Sequence, residues 1–372
     1  MKNIGIIGAS LSGAALAALL GKEGMHVSLF DSENFPRNKA CGEGLSSEGI
    51  SALKRLSLIS ENLLKNAVPL SGYNIRYKNK SLSLNSRKKG IGIERLILDN
   101  AVLEKALSYS TVTAYLGREI KKVSERKPID FDCIVYSCGS DSSLLNQINS
   151  IKEKQKRFGI SSVWEGTYKN PIEKVEITLY EGYEVFLTPL SESRINATIL
   201  SNKSKLKIPL NQKTAIEIMR SSLEQIGFSG TPVTKLIGNN SISNSRRPAF
   251  FEDGILLGDA CEEFDAVGGM GMTHAVLSAE ILSKKLLNIV KDPASKTKYL
   301  KEYAKEREKM ARPLRGFTQA VYFSLLNEKR PAFKSGKIFE LMGPLFNGAI
   351  SSSRTKSESG ARFILSSIGS FL

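Results

Sequence analysis

The sequence predicts an α/β fold in which a Rossmann-like parallel sheet is joined by an inserted antiparallel β-sheet domain and a helical C-terminal tail. The first observation is the opening stretch, residues 1–31, which has the pattern of a strand, a tight turn, a small-residue helix and a second strand. The second is an apolar strand at 255–257 that runs into a Gly-Asp pair and a glycine-rich helix start. Between them, 158–200 holds alternating apolar runs separated by turns, which favour antiparallel strands.

Glycines and one acid mark the opening stretch as a candidate phosphate site. Gly8 ends the first strand, Gly13 lies at the start of the helix, and Asp31 follows the second strand. Such glycines let the backbone approach a pyrophosphate, the helix N-terminus faces the phosphates, and the acid accepts hydrogen bonds from ribose hydroxyls. Ser10 replaces the usual middle glycine, so the match is imperfect. Two alternatives stay open: a structural βαβ unit without phosphate and, disfavoured by these glycines, a secretory signal peptide.

A second glycine-containing loop follows the second predicted strand. Arg37 and Lys39 place positive charge beside the predicted phosphate site, and Gly42 and Gly44 come shortly after them. Two glycines this close suggest a close backbone approach to a ligand or to another loop, with an ordinary surface turn as the alternative. Arg95 begins a later helical pattern and is a candidate phosphate contact, with a solvated first-turn arginine as the alternative.

The stretch around 255–272 predicts a second ligand-facing edge. Gly258 and Asp259 stand at the carboxyl end of the predicted strand, where ligands collect in α/β sheets. The next helix starts in a glycine-rich run whose backbone amides suit a negative charge. This run consists of Gly268, Gly269, Met270, Gly271 and Met272. Two such edges far apart in sequence imply one extended cofactor that crosses the sheet.

These patterns divide the chain into three regions. A discontinuous cofactor domain encloses a substrate domain made of β-strands, and a helical region follows both. The predicted bounds are 1–70, 86–157 and 233–300 for the cofactor domain, 71–85 and 158–232 for the substrate domain, and 301–372 for the helical C-terminal region.

Composition excludes several classes of protein. Of the 372 residues, 41% are hydrophobic and 24% are charged, as in soluble globular proteins, and no apolar run approaches the ~20 residues that span a bilayer. Two histidines and four scattered cysteines leave no metal-site spacing. We therefore expect a cytoplasmic protein with reduced thiols and no metal.

The net charge of +16 admits two interpretations. Lysines are scattered along the whole chain, which is typical of a solvated surface. The alternative is peripheral contact with an anionic membrane or an acyl carrier that delivers a lipid or another hydrophobic small molecule. Nucleic acid is not an expected partner, because no helix carries a coherent basic face with interleaved aromatic residues.

Together, these stretches resemble the superfamily of FAD-dependent oxidoreductases that contains class A flavoprotein monooxygenases and geranylgeranyl-reductase-type flavoenzymes. The resemblance covers roughly residues 1–290. It implies a Rossmann-like FAD-binding domain with an inserted antiparallel β-sheet substrate domain. It also implies that Gly8, Gly13 and Asp31 hold the ADP part of FAD.

The same resemblance assigns roles to the other motifs. The 37–44 stretch resembles the family's flavin-side loop, and Arg95 resembles the arginine that contacts FAD. The Gly258-Asp259 pair resembles the second FAD signature, whose aspartate holds the ribityl chain. The 265–272 stretch resembles the loop whose backbone amides approach the pyrimidine edge of the flavin. The implied contacts in the flavin-side loop are Arg37, Lys39, Cys41, Gly42, Glu43 and Gly44.

The reaction is left open between two classes of enzyme. A monooxygenase that hydroxylates a hydrophobic aromatic or polyketide-like substrate is favoured, because that chemistry needs few side-chain catalysts. In the alternative, a flavin-dependent reductase of a prenyl or lipid alkene, a nearby acid supplies the proton. Cys41, Glu43 and Tyr183 are candidate donors, and His274 is a candidate base beside the flavin. A non-catalytic flavin- or nucleotide-binding protein is the third interpretation.

NADPH or NADH is a candidate electron donor, although one motif of the family counts against direct reduction by it. The family's mid-chain Asp-Gly motif, linked in the hydroxylases to FAD and nicotinamide use, is replaced here by Cys138-Gly139. Trp164 is the only tryptophan, so the tryptophan-rich signature of the family's halogenases is absent and halogenation is disfavoured.

Overall fold

The computed structural model describes residues 3–120, 131–146, 148–151, 157–202, 211–242, 245–251 and 254–326. The described strands are β1 (Asn3–Ile7), β2 (His26–Phe30), β3 (Gly44–Leu45), β4 (Val68–Tyr77), β5 (Lys80–Gly92), β6 (Val112–Tyr115), β7 (Cys133–Tyr136), β8 (Arg157–Tyr168), β9 (Val175–Tyr180), β10 (Tyr183–Pro189), β11 (Arg194–Asn202), β12 (Phe228–Pro232), β13 (Ile237–Ile242), β14 (Phe250–Phe251) and β15 (Gly254–Leu256). The described α-helices are α1 (Leu11–Lys22), α2 (Ser47–Arg55), α3 (Glu61–Lys65), α4 (Arg95–Leu107), α5 (Gln212–Gln225), α6 (Gly271–Lys291) and α7 (Lys296–Leu326).

Six of these strands form the first sheet, in the order β14-β15-β7-β1-β2-β6. Its central strands are parallel, with Ile4 of β1 opposite Val27 of β2 and Cys133 of β7. β1 is buried over four successive residues, as expected for a parallel strand that is covered on both faces. The carboxyl ends of β1, β7 and β15 therefore meet at one edge of this sheet.

Helix α1 is buried on nearly all sides. Its four alanines are at most 2% exposed, because α1 packs against both α4 and α6 as well as lying over the sheet. Small side chains permit so many close neighbours without voids. This environment holds the first turn of α1 at the carboxyl end of β1.

The second sheet has nine strands, in the order β12-β8-β11-β10-β9-β4-β5-β3, with β13 also paired to β8. Neighbouring strands are antiparallel except β4 and β9. Helix α5 packs against it through an apolar core that includes Trp164, Val185, Met219 and Leu223. The alternating pattern of 158–200 thus reflects strands with one face in this core.

The structure differs from the predicted division of the chain at three places. The hairpin predicted at 71–85 runs from Val68 to Gly92, because β5 extends to pair with β3, so 86–92 belong to the second sheet. β13, which lies within the predicted bounds of the cofactor domain, pairs with β8 of the second sheet. The helical C-terminal region begins with α7 at Lys296, and 327–372 lie outside the described residues. Within the described ranges, no helix combines the length and the apolar character needed to cross a bilayer.

Candidate functional site

One cleft runs between the two sheets and has a volume of about 270 Å³. One side is formed by the turn after β1 and by the loops that follow β2, β7 and β15. The other side is formed by strands of the second sheet, and α7 contributes one ring. This is the edge at which open parallel sheets bind ligands.

The turn after β1 is shaped by close backbone contacts. Gly8 has a φ of 107°, a conformation that favours glycine, and a Cβ there would overlap the carbonyl oxygen of Ser137 after β7. A Cβ at Gly13 would overlap the carbonyl oxygen of Gly8. The hydroxyls of Ser12 and Ser137 lie 2.6 Å apart. These contacts bring the first helical turn and the loop after β7 into one unit.

Asp31 supports this turn from the end of β2. Its carboxylate accepts hydrogen bonds from the backbone N–H of Ala9 at 2.7 Å and of Glu33 at 3.0 Å, and Arg37 lies 3.5 Å away. The side chain is buried and does not line the cleft. The structure therefore shows Asp31 holding the turn, and its predicted hydrogen bond to a ribose stays a prediction.

Ser10, the residue in place of the middle glycine, belongs to a buried polar cluster. Its hydroxyl donates to Asp99 at 2.6 Å and accepts from Arg95 at 3.1 Å. Arg95 in turn donates to both carboxylate oxygens of Asp99, at 2.9 and 2.8 Å. Burial by itself raises the pKa of Asp99, but Arg95 and Ser10 outweigh it and hold that pKa below its ordinary value. Ser10 and Arg95 line the cleft, so this ion pair forms its floor.

Sequence reasoning did not select Asp99 as a site residue. Its signal was its spacing, since residues four apart on a helix face the same side and an Arg–Asp pair at that spacing can form an ion pair. The sequence did not show that both side chains are buried, and their burial is what makes the ion pair matter for stability.

The loop between β2 and α2 is bound to the second sheet. The backbone N–H of Cys41 donates to Ser161 at 3.3 Å, and the carbonyl of Cys41 accepts from Thr198 at 3.2 Å. The Cys41 sulfur accepts from the N–H of Glu43 at 3.3 Å. Cys41, Gly42 and Glu43 all line the cleft.

Glu43 is an unusual member of this loop. It is 4% exposed, has a φ of 56°, and accepts one hydrogen bond from the backbone N–H of Arg95 at 3.2 Å. Its second carboxylate oxygen, Oε2, is buried without a hydrogen-bond partner among the described residues. Burial raises the pKa of Glu43 from 4.5 to about 7. The cleft therefore contains a carboxyl group that is partly protonated near neutral pH.

This raised pKa predicts a pH dependence of stability. The folded state binds the Glu43 proton more tightly than the unfolded chain, so the contribution is complete below pH 4.5 and is lost as the pH rises to about 7. The pKa difference corresponds to roughly 3 kcal/mol. We expect Glu43→Gln to lose little stability at pH 5 and to exceed the wild type at pH 8, as measured by urea unfolding at both pH values. Surface Glu61→Gln is the control, and a wild-type pH slope in Glu43→Gln would contradict the assignment.

Four glycines in the cleft leave open space beside bare backbone. All four line the cleft, and a Cβ added at any of them would meet no protein atom within 4 Å. They are Gly42, Gly139, Gly269 and Gly271. The first turns of α1 and α6 contain no acidic residue, and neither has a side chain capping its N-terminus. Free amides at two helix N-termini favour negatively charged groups. The surface therefore fits a flat, anionic ligand such as FAD.

The loop before α6 is held by a buried ion network. Asp265 accepts from the backbone N–H of Val267 at 3.0 Å and from Arg157 of β8 at 2.6 Å. Arg157 also donates to Glu184 of β10. A Cβ at Gly268 would overlap the Thr318 hydroxyl of α7, so this glycine is required by contact with a helix. The network fixes the loop relative to the second sheet.

The predicted cofactor residues fall into two groups in the structure. The first lines the cleft and consists of Ser10, Lys39, Cys41, Gly42, Arg95, Asp259, Gly268, Gly269, Met270, Gly271 and Met272. The second lies behind the cleft and shapes it, and consists of Gly8, Gly13, Asp31, Arg37 and Gly258. Among the described residues, no three His, Cys, Asp or Glu side chains form a metal-binding group.

Two predicted catalytic residues are placed away from the cleft, which corrects their expected positions. His274 lies on the buried side of α6 and is fully buried, packs edge-on against Phe264 with ring centroids 4.8 Å apart, and has its pKa lowered to about 3 by burial. Tyr183 stacks on Tyr180 at the turn between β9 and β10. Neither His274 nor Tyr183 lines the cleft, so we assign neither a catalytic role.

The half of the cleft under the second sheet has an apolar wall, beside polar lining residues that include Ser86, Lys88, Ser161 and Thr198. Phe186 and Thr188, which share one face of β10, line it. An apolar cluster continues this wall towards α7. Its members that line the cleft are Leu70, Tyr73, Val175, Ile177, Phe186, Val267, Met270 and Phe317.

Comparison with known proteins gives partial sequence matches and whole-chain structural matches. No family model matches the sequence. The chain is 28% identical to kynurenine 3-monooxygenase of Saccharomyces cerevisiae over 214 residues, 52% of this chain and 45% of the relative. It is 36% identical to para-nitrophenol 4-monooxygenase of Pseudomonas sp. over 78 residues, and 40% identical to menaquinone reductase of Mycolicibacterium smegmatis over 55 residues. These two matches cover 21% and 15% of this chain, and 19% and 13% of the respective relatives, so each relative is matched over less than half of its length.

Solved structures match nearly the whole chain. PqsL of Pseudomonas aeruginosa, described as a probable FAD-dependent monooxygenase, matches with a TM-score of 0.70 and 19% identity over 91% of this chain and 99% of its own. A triple mutant of the flavin-dependent brominase Bmp2 matches with a TM-score of 0.76 and 15% identity over 99% and 98%. At these identities the likeness is one of fold, so the brominase match does not bear on halogenation. The chain therefore has the FAD-binding fold found in flavin-dependent monooxygenases.

Proposed function

We propose that this chain is an FAD-dependent monooxygenase that hydroxylates a hydrophobic aromatic or polyketide-like substrate. The observation that carries the proposal is one continuous cleft, which joins bare backbone at two helix N-termini to an apolar chamber under the second sheet. The partial matches to two enzymes whose names describe hydroxylation of aromatic compounds support it.

The residues of the cleft have separable tasks in this proposal. When bound and reduced, FAD supplies the electrons that activate dioxygen. The first turns of α1 and α6 stabilise its negative charge, and Lys39 adds a positive charge at the cleft wall. The apolar chamber orients the substrate and excludes water.

The electron donor and the route of the substrate are parts of the same proposal. NADPH or NADH is the donor we propose. Gly139, in the loop after β7, lines the cleft and leaves open space beside its backbone where the nicotinamide would enter. The net charge of +16 supports delivery of a hydrophobic substrate from an anionic membrane surface or an acyl carrier.

A visible spectrum tests the proposal first. We expect the purified protein with FAD to show bands near ~375 and ~450 nm, to be bleached by NADPH without oxygen, and to consume oxygen faster when 4-nitrophenol, kynurenine or 2-naphthol is added. An oxygen electrode and product mass, increased by one oxygen atom, are the measurements. A flavin-loaded protein that NADPH or dithionite reduces, but that adds oxygen to no aromatic compound, would contradict it.

A second candidate function is reduction of a prenyl or lipid alkene. Its supporting observation is Glu43, a buried carboxyl group in the cleft with a pKa near 7, together with the match to menaquinone reductase. In that reaction the alkene takes up one hydride and one proton, and Glu43 would hold the proton. Reduced protein that saturates the alkene of a prenyl alcohol under nitrogen, with a product mass increased by two hydrogen atoms, and that loses this activity in Glu43→Gln, would favour the reductase. A colourless protein whose melting temperature FAD does not change would favour a non-catalytic role.

A further inference from the structure

We propose that Phe317 of α7 limits the size of the aromatic ring system that the chamber accepts. This inference rests on the proposed function, because it concerns the substrate half of the same cleft. Phe317 is 9% exposed, lines the cleft, and belongs to the apolar cluster formed with Leu70, Val175 and Ile177 of the second sheet. It closes the chamber from a part of the chain that carries none of the cofactor motifs.

Charged contacts fix the segment of α7 that carries the ring. Glu262, which follows β15 and is 2% exposed, accepts from Arg307 at 2.8 Å and from Arg315 at 2.6 Å. Arg315 also donates to Glu308 at 2.9 Å. Because Arg315 comes shortly before Phe317, this clamp sets the rotation of the helix at that point. The ring therefore has a defined place.

A close approach to the loop before α6 fixes the same segment from the other direction. The Thr318 side chain lies against the backbone of Gly268, where a Cβ would overlap it. Val267 belongs to the same apolar cluster as Phe317. Since neighbours on both sides of Phe317 hold the helix, shortening this one side chain should widen the chamber and leave α7 in place.

The side chains that surround Phe317 in its cluster are apolar. Ile177 and Phe186 belong to the second sheet, and Met270 belongs to the loop before α6. A flat apolar ring matches these walls better than a charged group does, because a charge there would lose hydration without a partner. Replacing the benzyl side chain of Phe317 by the methyl group of alanine creates apolar space that the fixed helix cannot fully close.

The test uses FAD-loaded protein and binding rather than turnover. Phenol, 2-naphthol and 4-phenylphenol are titrated by calorimetry, without an electron donor, into the wild type, Phe317→Ala and Phe317→Leu. We expect Phe317→Ala to raise the affinity for 4-phenylphenol relative to phenol by about tenfold, with Phe317→Leu between it and the wild type. Lys309→Ala, an exposed change on the same helix, is the matched control and should keep the wild-type ratio.

Two results would overturn the inference. One is an unchanged affinity ratio in folded Phe317→Ala and Phe317→Leu, which would make the ring a purely structural contact. The other is a ratio that changes as much in Lys309→Ala. If Phe317→Ala fails to fold, Phe317→Leu decides the question. If Phe317→Ala shifts the affinity ratio but the wild type shows no substrate-dependent oxygen uptake, this inference stands and the proposed monooxygenase activity is overturned. If oxygen uptake occurs but the affinity ratio does not shift, the monooxygenase activity stands and this inference is overturned.

Discussion

Gly13→Ala is expected to abolish FAD binding and to destabilise the protein severely. The added Cβ would overlap the carbonyl oxygen of Gly8, and neither backbone can move easily because the Gly8 turn is also in contact with Ser137. Overpacking of a core typically costs ~1–3 kcal/mol, and an overlap of two backbones should lie at or above the upper end. Urea unfolding of the protein without FAD and fluorescence titration with FAD measure the two effects.

Gly271→Ala is the matched variant that separates binding from folding. Gly271 opens α6, and a Cβ there would meet no protein atom within 4 Å, so the unfolding free energy without FAD should stay close to that of the wild type. Because the same Cβ would project into the cleft, the affinity for FAD should fall by about tenfold or more, equivalent to ~1.4 kcal/mol. Unchanged FAD affinity in Gly271→Ala would show that the cofactor does not approach this helix start.

Arg95→Met is expected to lower the unfolding free energy by about 3–5 kcal/mol, because it leaves the Asp99 carboxylate buried without its cation. Both side chains are nearly fully buried, and Arg95 donates two hydrogen bonds to Asp99 and one to Ser10. The pKa of Asp99 is held below its ordinary value, so its charge persists at neutral pH and the pair is lost only in acid. Urea unfolding at pH 7 measures the effect.

The double variant Arg95→Met with Asp99→Leu shows whether the loss comes from the orphaned charge. Since an apolar pair of similar volume needs no partner, it should recover much of the stability that Arg95→Met loses. Its affinity for FAD should stay low. Arg95 is the only arginine among the described residues that lines the cleft, and the double variant lacks it. If the double variant is as unstable as Arg95→Met, the arginine acts through its packing and not through its charge.

The elements that the sequence predicted best are those whose backbone has a special requirement. Gly8 and Gly13 were selected as turn residues, and the structure shows backbone contacts at both. The order of strand, turn, helix and strand was likewise confirmed, since each element has a strong local pattern. Ser10 looked like a defect of the motif and is instead one member of a buried cluster with Arg95 and Asp99.

The parts that sequence reasoning missed depend on contacts between distant segments. Glu43 was a candidate acid, but its raised pKa arises from burial against segments that are distant in the chain, among them the start of α4. Phe317 has no motif, and its place in the cleft follows from ion pairs of α7 with Glu262. His274 was selected because histidine often acts as a base, although it lies on the buried side of α6. The residue type alone did not show that His274 lies on the buried face of α6.

The central position of β1 has a consequence for synthesis of the chain on the ribosome. β1 and its turn are made early, but the neighbour on one side is β7, and the first contact there joins Asn3 to Asp132, 129 positions later. At ~5–20 residues per second, that edge of β1 waits on the order of ten seconds for its partner. Ser137, against which Gly8 rests, and Gly258, which lies against Ser12, arrive later still. The earliest-made turn is therefore among the last parts of the nascent protein to reach its final shape.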